Sequence, residues 1–152
     1  MKSILPDYIK RVLITGGAGF IGLNTIRKLL KETKVKIFNI DKLGYASDLT
    51  GIEEILLELG KEAQDRYEFK QLNLTKSELL DEFLTKSKPD LILHFAAESH
   101  VDRSIDAPAE FIRSNVIGTF NLLQATRKYI DKLSNDQLQH FRFHHISTDE
   151  VF

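Results

Sequence analysis

The stretch "TGGAGFIG", residues 15–22, constrains this chain more than any other feature of its 152 residues. Before it stands RVLIT, residues 11–15, a run of β-branched and apolar side chains that reads as a buried strand. After it the apolar pattern changes period. Phe20, Ile21, Ile26, Leu29 and Leu30 fall roughly at helical spacing, and Arg27, Lys28 and Lys31 are left to solvent. A strand therefore feeds a helix through a glycine turn. The turn parses as GxGxxG over Gly17, Gly19 and Gly22, or as GxxGxxG over Gly16, Gly19 and Gly22. Backbone N–H groups at a helix N-terminus bind negative charge, and residues without Cβ let a pyrophosphate approach them. Gly22 would instead let helix and sheet pack tightly. Glycines alone describe an ordinary tight turn; strand, turn and helix in this order point to a dinucleotide site.

The alternation continues along the chain. Strands are predicted over 35–40 (ending in Asp41), 67–72, 91–96 and 141–147. Helices are predicted over 49–59, closed by Gly60, over 76–85, and over 108–130, opened by Pro108. Parallel neighbours need crossovers, and these are right-handed. The expectation is an α/β fold, a Rossmann doubly wound parallel sheet of about five strands in three layers, with residues 1–152 as one dinucleotide-binding domain.

Composition narrows the partners. Lys and Arg number 21 against 22 Asp and Glu, a net charge of −1, which argues against nucleic-acid binding. The chain has no Cys, so disulfides, thiolate metal sites and a Cys nucleophile are excluded together. The opening residues, interrupted by Pro6 and Asp7, lack the apolar core of a signal peptide, and no apolar stretch approaches the ~20 residues of a membrane span. A cytoplasmic protein without a membrane partner is expected. His144 and His145 are adjacent on a predicted strand, point to opposite faces and cannot chelate one ion, so no metal is expected.

Asp41 follows the second strand close to the ~20-residue interval at which an acid meets the adenosine ribose hydroxyls. A carboxylate there repels a 2′-phosphate and favours NAD over NADP, although the neighbouring Lys42 works the other way. In such a sheet the cofactor lies over the carboxyl ends of the first and fourth strands. The fourth strand runs into "HFAAESHVDRS": Ala96 and Ala97 are small enough to let a nucleotide pass, and Glu98, Ser99, His100 and Arg103 bring polar groups to the same edge. The last strand ends there too, in Ser147, Thr148, Asp149 and Glu150, which read either as chemistry or as a helix N-cap.

These segments together resemble the NAD-dependent extended short-chain dehydrogenases/reductases, and within them the dTDP-glucose 4,6-dehydratases. The likeness rests on TGGAGFIG, "NIDKLGYASDL" (residues 39–49), "PDLILHFAAESHVDRSI" (89–105), "NVIGTFNLLQA" (115–125) and "FHHISTDEVF" (143–152). It implies loss of water from the glucose unit of dTDP-glucose, with hydride withdrawn and returned through NAD. It also implies cofactor contacts from Gly16, Gly19, Phe20, Ile21, Gly22, Asp41, Lys42, Asn73, Leu74, Ala96, Ala97 and Glu98, and substrate contacts from Ser99, His100 and Thr148. Glu150 would act as base, Asp149 as acid, and Thr148 would hydrogen-bond the sugar oxygen. Asn73 stands where the family usually carries an Asp for the adenine amino group. The family's Tyr-x-x-x-Lys pair lies downstream of the acidic motif and none of this chain's four tyrosines begins one. The expectation is therefore a truncated cofactor half, inactive alone, without a substrate-binding domain. Two other readings stand beside this dehydratase: an NAD-binding module without turnover, or a related sugar-nucleotide epimerase or dehydratase. Helix 108–130 carries apolar residues on more than one face, and the family pairs such helices in a homodimer.

Overall fold

An apolar strand with no polar face must be flanked on both edges and covered on both sides. The strand β1 (Arg11–Thr15) is of this kind: Val12, Leu13, Ile14 and Thr15 are wholly buried. The computed structural model describes residues 4–147. It pairs β1 in parallel with β2 (Lys36–Asp41) on one edge and β4 (Leu91–His94) on the other. Outside these lie β3 (Tyr67–Gln71) and β5 (Arg142–His145), both parallel, giving the order β3-β2-β1-β4-β5. The sequence reading of a five-stranded parallel Rossmann sheet holds.

Alternate residues of β1 enter two different cores, as the two-residue period requires. On one face Val12, Ile14 and Ile37 meet Ile26, Leu29 and Leu30 of α1 (Phe20–Glu32) and Ile52 and Ile55 of α2 (Thr50–Leu59). On the other, Leu13, Phe38, Ile40 and Ile92 meet Leu80, Phe83 and Leu84 of α4 (Ser77–Ser87) and Leu122 and Ala125 of α7 (Thr119–Ile130). Each fully buried aliphatic or aromatic side chain contributes about 1.5–3 kcal/mol, so the three layers are held by both faces of the central strands.

Three short helices escape the sequence reading: α3 (Lys61–Asp65), α5 (Val101–Asp106) and α8 (Asn135–His140). The last had a legible signal, a capping box in which Ser134 and Gln137 bond each other's backbone. The single helix expected over 108–130 is also corrected. It consists of α6 (Pro108–Phe111), a π-helical segment (Ile112–Gly118) and α7. The strand predicted over 141–147 is shorter, and its Arg142, His144 and His145 are exposed, because β5 has a strand neighbour on one edge only among the described residues. None of the described helices is long and apolar enough to cross a membrane.

The sheet joins α1 through a turn with no room to spare. Gly16 has φ +72°, and a Cβ on it would lie 2.6 Å from the backbone nitrogen of Ala96. A Cβ on Gly22 would lie 2.4 Å from the carbonyl oxygen of Gly16. Both obstacles are backbone, which cannot swing away. Gly22→Ala should therefore cost about 1–3 kcal/mol in urea denaturation despite the better helix propensity of Ala, whereas Lys28→Ala on the exposed side of α1 should be near neutral.

Candidate functional site

The register sets Thr15 opposite both Ile40 and His94, so β1, β2 and β4 end level at their carboxyl ends. From there β1 leads to α1 and β4 into residues 95–100, and a cavity of about 420 Å³ opens between these exits. The glycine turn contributes Gly16, Gly19, Phe20, Ile21 and Gly22 to its wall. The end of β2 contributes Asp41 and Lys42, the residues after β3 Asn73 and Leu74, and those after β4 Ala96, Ala97, Glu98, Ser99 and His100. Thr148, Asp149 and Glu150 lie outside the described residues. The backbone N–H of Ile146 donates to His94 O at 3.1 Å, so the chain leading toward them leaves at the cavity's edge of the sheet.

Gly19 is the N-cap residue of α1, where no side chain caps the helix and the first turn holds no acidic residue. The amides of that turn thus face the cavity with the positive end of the helix behind them. A Cβ on Gly19 would meet only the Gly16 carbonyl, at 3.4 Å, an almost ordinary contact. Packing within the protein demands glycine at 16 and 22. At 19 a Cβ would project where an anion must approach the amides, and this cradle fits a pyrophosphate.

Asp41 is 5% exposed, and its carboxylate organises the loop that follows it. Oδ1 accepts from the N–H of Leu43 at 2.8 Å and from Ser47 Oγ at 3.0 Å, and Oδ2 accepts from the N–H of Ala18 at 3.1 Å. Three of the roughly four acceptor sites of the carboxylate are thereby used, and the one left, on Oδ2 at the cavity wall, suits a ribose hydroxyl. Asn73 behaves differently from an Asp. Its Oδ1 accepts from Thr75 N–H at 3.0 Å and Thr75 Oγ at 2.9 Å, which leaves its Nδ2 as the group to offer a ligand, a donor in place of the acceptor expected there.

Sequence reasoning missed the partners of Lys42 and Glu98. Lys42 Nζ lies 2.5 Å from Glu98 Oε1 and donates to Ser114 Oγ at 2.8 Å. The N–H of Glu98 donates to Asn115 Oδ1 at 2.8 Å, and its carbonyl accepts from Asn115 Nδ2 at 2.9 Å. Ser114 and Asn115 sit in the π-helical segment, a device frequent at functional sites. The residues 44–47 also line the cavity, and Tyr45 meets the His100 ring edge-on at 5.6 Å across its mouth.

Beneath the cavity floor His94 is buried, 1% exposed, between two hydroxyls. Nδ1 is 2.6 Å from Thr15 Oγ and Nε2 is 2.9 Å from Thr119 Oγ. Thr15 Oγ already accepts from the N–H of Ala96 at 3.3 Å. Its own proton is then free to go to Nδ1, so the neutral imidazole protonated on Nε2 satisfies the chain of bonds. Burial, reinforced by the neighbouring His145, lowers the His94 pKa from 6.5 to about 4. Among the described residues no group of three or more metal-binding side chains converges.

The model of a family described as GDP-mannose 4,6 dehydratase matches residues 13–152. A dTDP-glucose 4,6-dehydratase of Neisseria meningitidis serogroup B is 44% identical over 144 residues, covering 95% of this chain and 39% of that protein. The crystal structure of a dTDP-glucose 4,6-dehydratase from Streptomyces venezuelae with NAD and TYD bound superposes with a TM-score of 0.75 at 36% identity, over 93% of this chain and 40% of the other. A UDP-glucose-4-epimerase from Stenotrophomonas maltophila with bound NAD superposes at 0.74 and 25% identity, over 95% and 38%. The chain thus spans about two fifths of the length of the relatives it matches.

The depressed pKa of His94 makes stability pH-dependent in a definite direction. In the unfolded chain His94 binds its proton near pH 6.5, and in the folded protein near pH 4, so the stabilisation is whole above 6.5 and is lost as pH falls towards 4. Urea denaturation should show a decline across that window of up to about 3 kcal/mol attributable to this group. His94→Gln, less stable at neutral pH, should flatten the profile; an unchanged slope would place the titration elsewhere.

Proposed function

The chain belongs to the GDP-mannose 4,6 dehydratase family, and on that premise we propose that it is the dinucleotide-holding part of a dTDP-glucose 4,6-dehydratase, with NAD as cofactor and residues 1–152 as one binding domain. The observation that carries this reading is the convergence of the α1 N-terminus and Asp41 on one cavity at the ends of β1, β2 and β4. Similarity to relatives of that activity over 95% of the chain supports it.

In this reading the amides of the first turn of α1 hold the pyrophosphate and Asp41 takes the adenosine ribose hydroxyls. Asn73 and Leu74 border the adenine. Ala96, Ala97 and Glu98 line the passage towards the reacting end, and Ser99 and His100 face the substrate. NAD+ held there would supply a reversible acceptor for a hydride. Thr148 would hydrogen-bond the sugar oxygen that becomes a ketone, whose hydroxyl proton goes to the tyrosine of the family's Tyr-x-x-x-Lys pair; Glu150 would remove the proton from the adjacent carbon, and Asp149 would protonate the departing hydroxyl. Neighbouring acid and base can divide these tasks because different surroundings push their pKa values apart. The product is the 4-keto-6-deoxy sugar and water.

A homodimer belongs to the same proposal. Ile112, Val116, Ile117, Phe120 and Leu123 are 43–56% exposed along the π-helical segment and α7, an apolar strip that a second copy would cover. The epimerase alternative has support from the shared fold; the higher identity to the dehydratases favours the first reading.

Calorimetric titration of the chain with NAD+ should show binding, and Asp41→Ala should weaken it about tenfold or more, the worth of hydrogen bonds to a charged group. Circular dichroism would verify that the variant keeps its fold, since Asp41 also ties Ala18 and Leu43. Absence of heat from a folded chain would overturn the proposal.

A further inference from the structure

Asp41 and Lys42 are consecutive at the end of β2 and oppose each other in what they would recognise. The carboxylate suits free ribose hydroxyls, and a cation beside it is what a ribose 2′-phosphate needs. Among the described residues lining the cavity, Lys42 alone carries a lysine or arginine charge. That charge is already committed. Its ammonium is clamped between Glu98 Oε1 at 2.5 Å and Ser114 Oγ at 2.8 Å. Glu98 in turn cannot drift, because Asn115 grips its backbone N–H and carbonyl with one amide. The side chains of Lys42 and Glu98 are 30% and 16% exposed, so the pair is only partly screened by solvent.

We infer that Glu98 is a specificity-determining residue: it holds the Lys42 ammonium away from the ribose and so excludes a 2′-phosphorylated dinucleotide. The inference deepens the NAD-binding reading and rests on it. It assigns to a residue of the β4 exit a discrimination ordinarily attributed to the end of β2 alone. Three segments cooperate in it: the β2 exit supplies the cation, the β4 exit its counter-charge, and the π-helical segment the side chains that fix both.

The test compares titrations of the chain with NAD+ and NADP+. Glu98→Gln keeps the shape of the side chain and removes its charge, freeing Lys42. The ratio of the two Kd values, NADP+ over NAD+, should fall about tenfold, as expected for a new charge-assisted contact. Adding Lys42→Met to that variant should restore the original ratio to within about threefold. A Glu98→Gln protein that binds NAD+ with an unchanged ratio overturns the inference, and so does a gain that survives Lys42→Met. Glu98→Ala carries the same expectation and decides the matter if the glutamine variant fails to fold. Failure of the underlying reading looks different: the unmodified chain, folded by circular dichroism, would bind neither dinucleotide.

Discussion

The backbone of Gly16 lies against the backbone of Ala96 so closely that no Cβ fits between them, and the rest of the site depends on that contact. It brings the exits of β1 and β4, two adjacent parallel strands, within touch at the one level where their connections part. Gly22 then rests on the Gly16 carbonyl, which sets how steeply α1 leaves the sheet. Because the helix starts directly on the turn, its first amides have no room for a capping side chain and remain open towards the cavity. A close approach of backbone to backbone thus leaves a row of open amides suited to an anion.

Around this hinge the cavity is fastened by polar groups, each of which holds a loop as well as lining a wall. Asp41 bonds three partners on both of its flanks. Lys42, Glu98, Ser114 and Asn115 tie the β2 and β4 exits to the π-helical segment. Under the floor His94 joins Thr15 of β1 to Thr119 of α7. Partly buried hydrogen bonds of this kind are costly to leave half made, so removing one partner would loosen the loop it holds.

The elements that sequence reading placed are those with a dense apolar period. The strands β1 to β4 and the helices α1, α2 and α4 carry one, around β5 there is only the alternation of Phe141 and Phe143, and β1 and α1 coincide with their predicted starts. What escaped has a physical reason in each case. The helices α3, α5 and α8 are five or six residues long, with too few apolar positions to show a period. The π-helical segment has ordinary helical composition, and its wider turn is stabilised by bonds from Ser114 and Asn115 to residues 72 and 17 positions away. Within the site, the glycine turn and Asp41 were legible because one depends on missing side chains and the other on a spacing fixed by a strand, a helix and a strand. The Lys42–Glu98 pair was not, since its members are 56 positions apart in sequence and meet only when two loops face each other.

By itself, then, the sequence determined the layered α/β architecture, the strand-turn-helix that can receive a pyrophosphate, and the acid beside it, since these follow from local period and from the absence of Cβ atoms at short range. The tertiary structure alone decided that the cation next to that acid is already neutralised, that Asn73 presents a donor in place of an acceptor, and that a histidine inside an apolar motif is a neutral link between two threonines. Each of these depends on which groups stand opposite one another across the sheet ends, and a side chain's charge and hydrogen-bonding role are set by those neighbours.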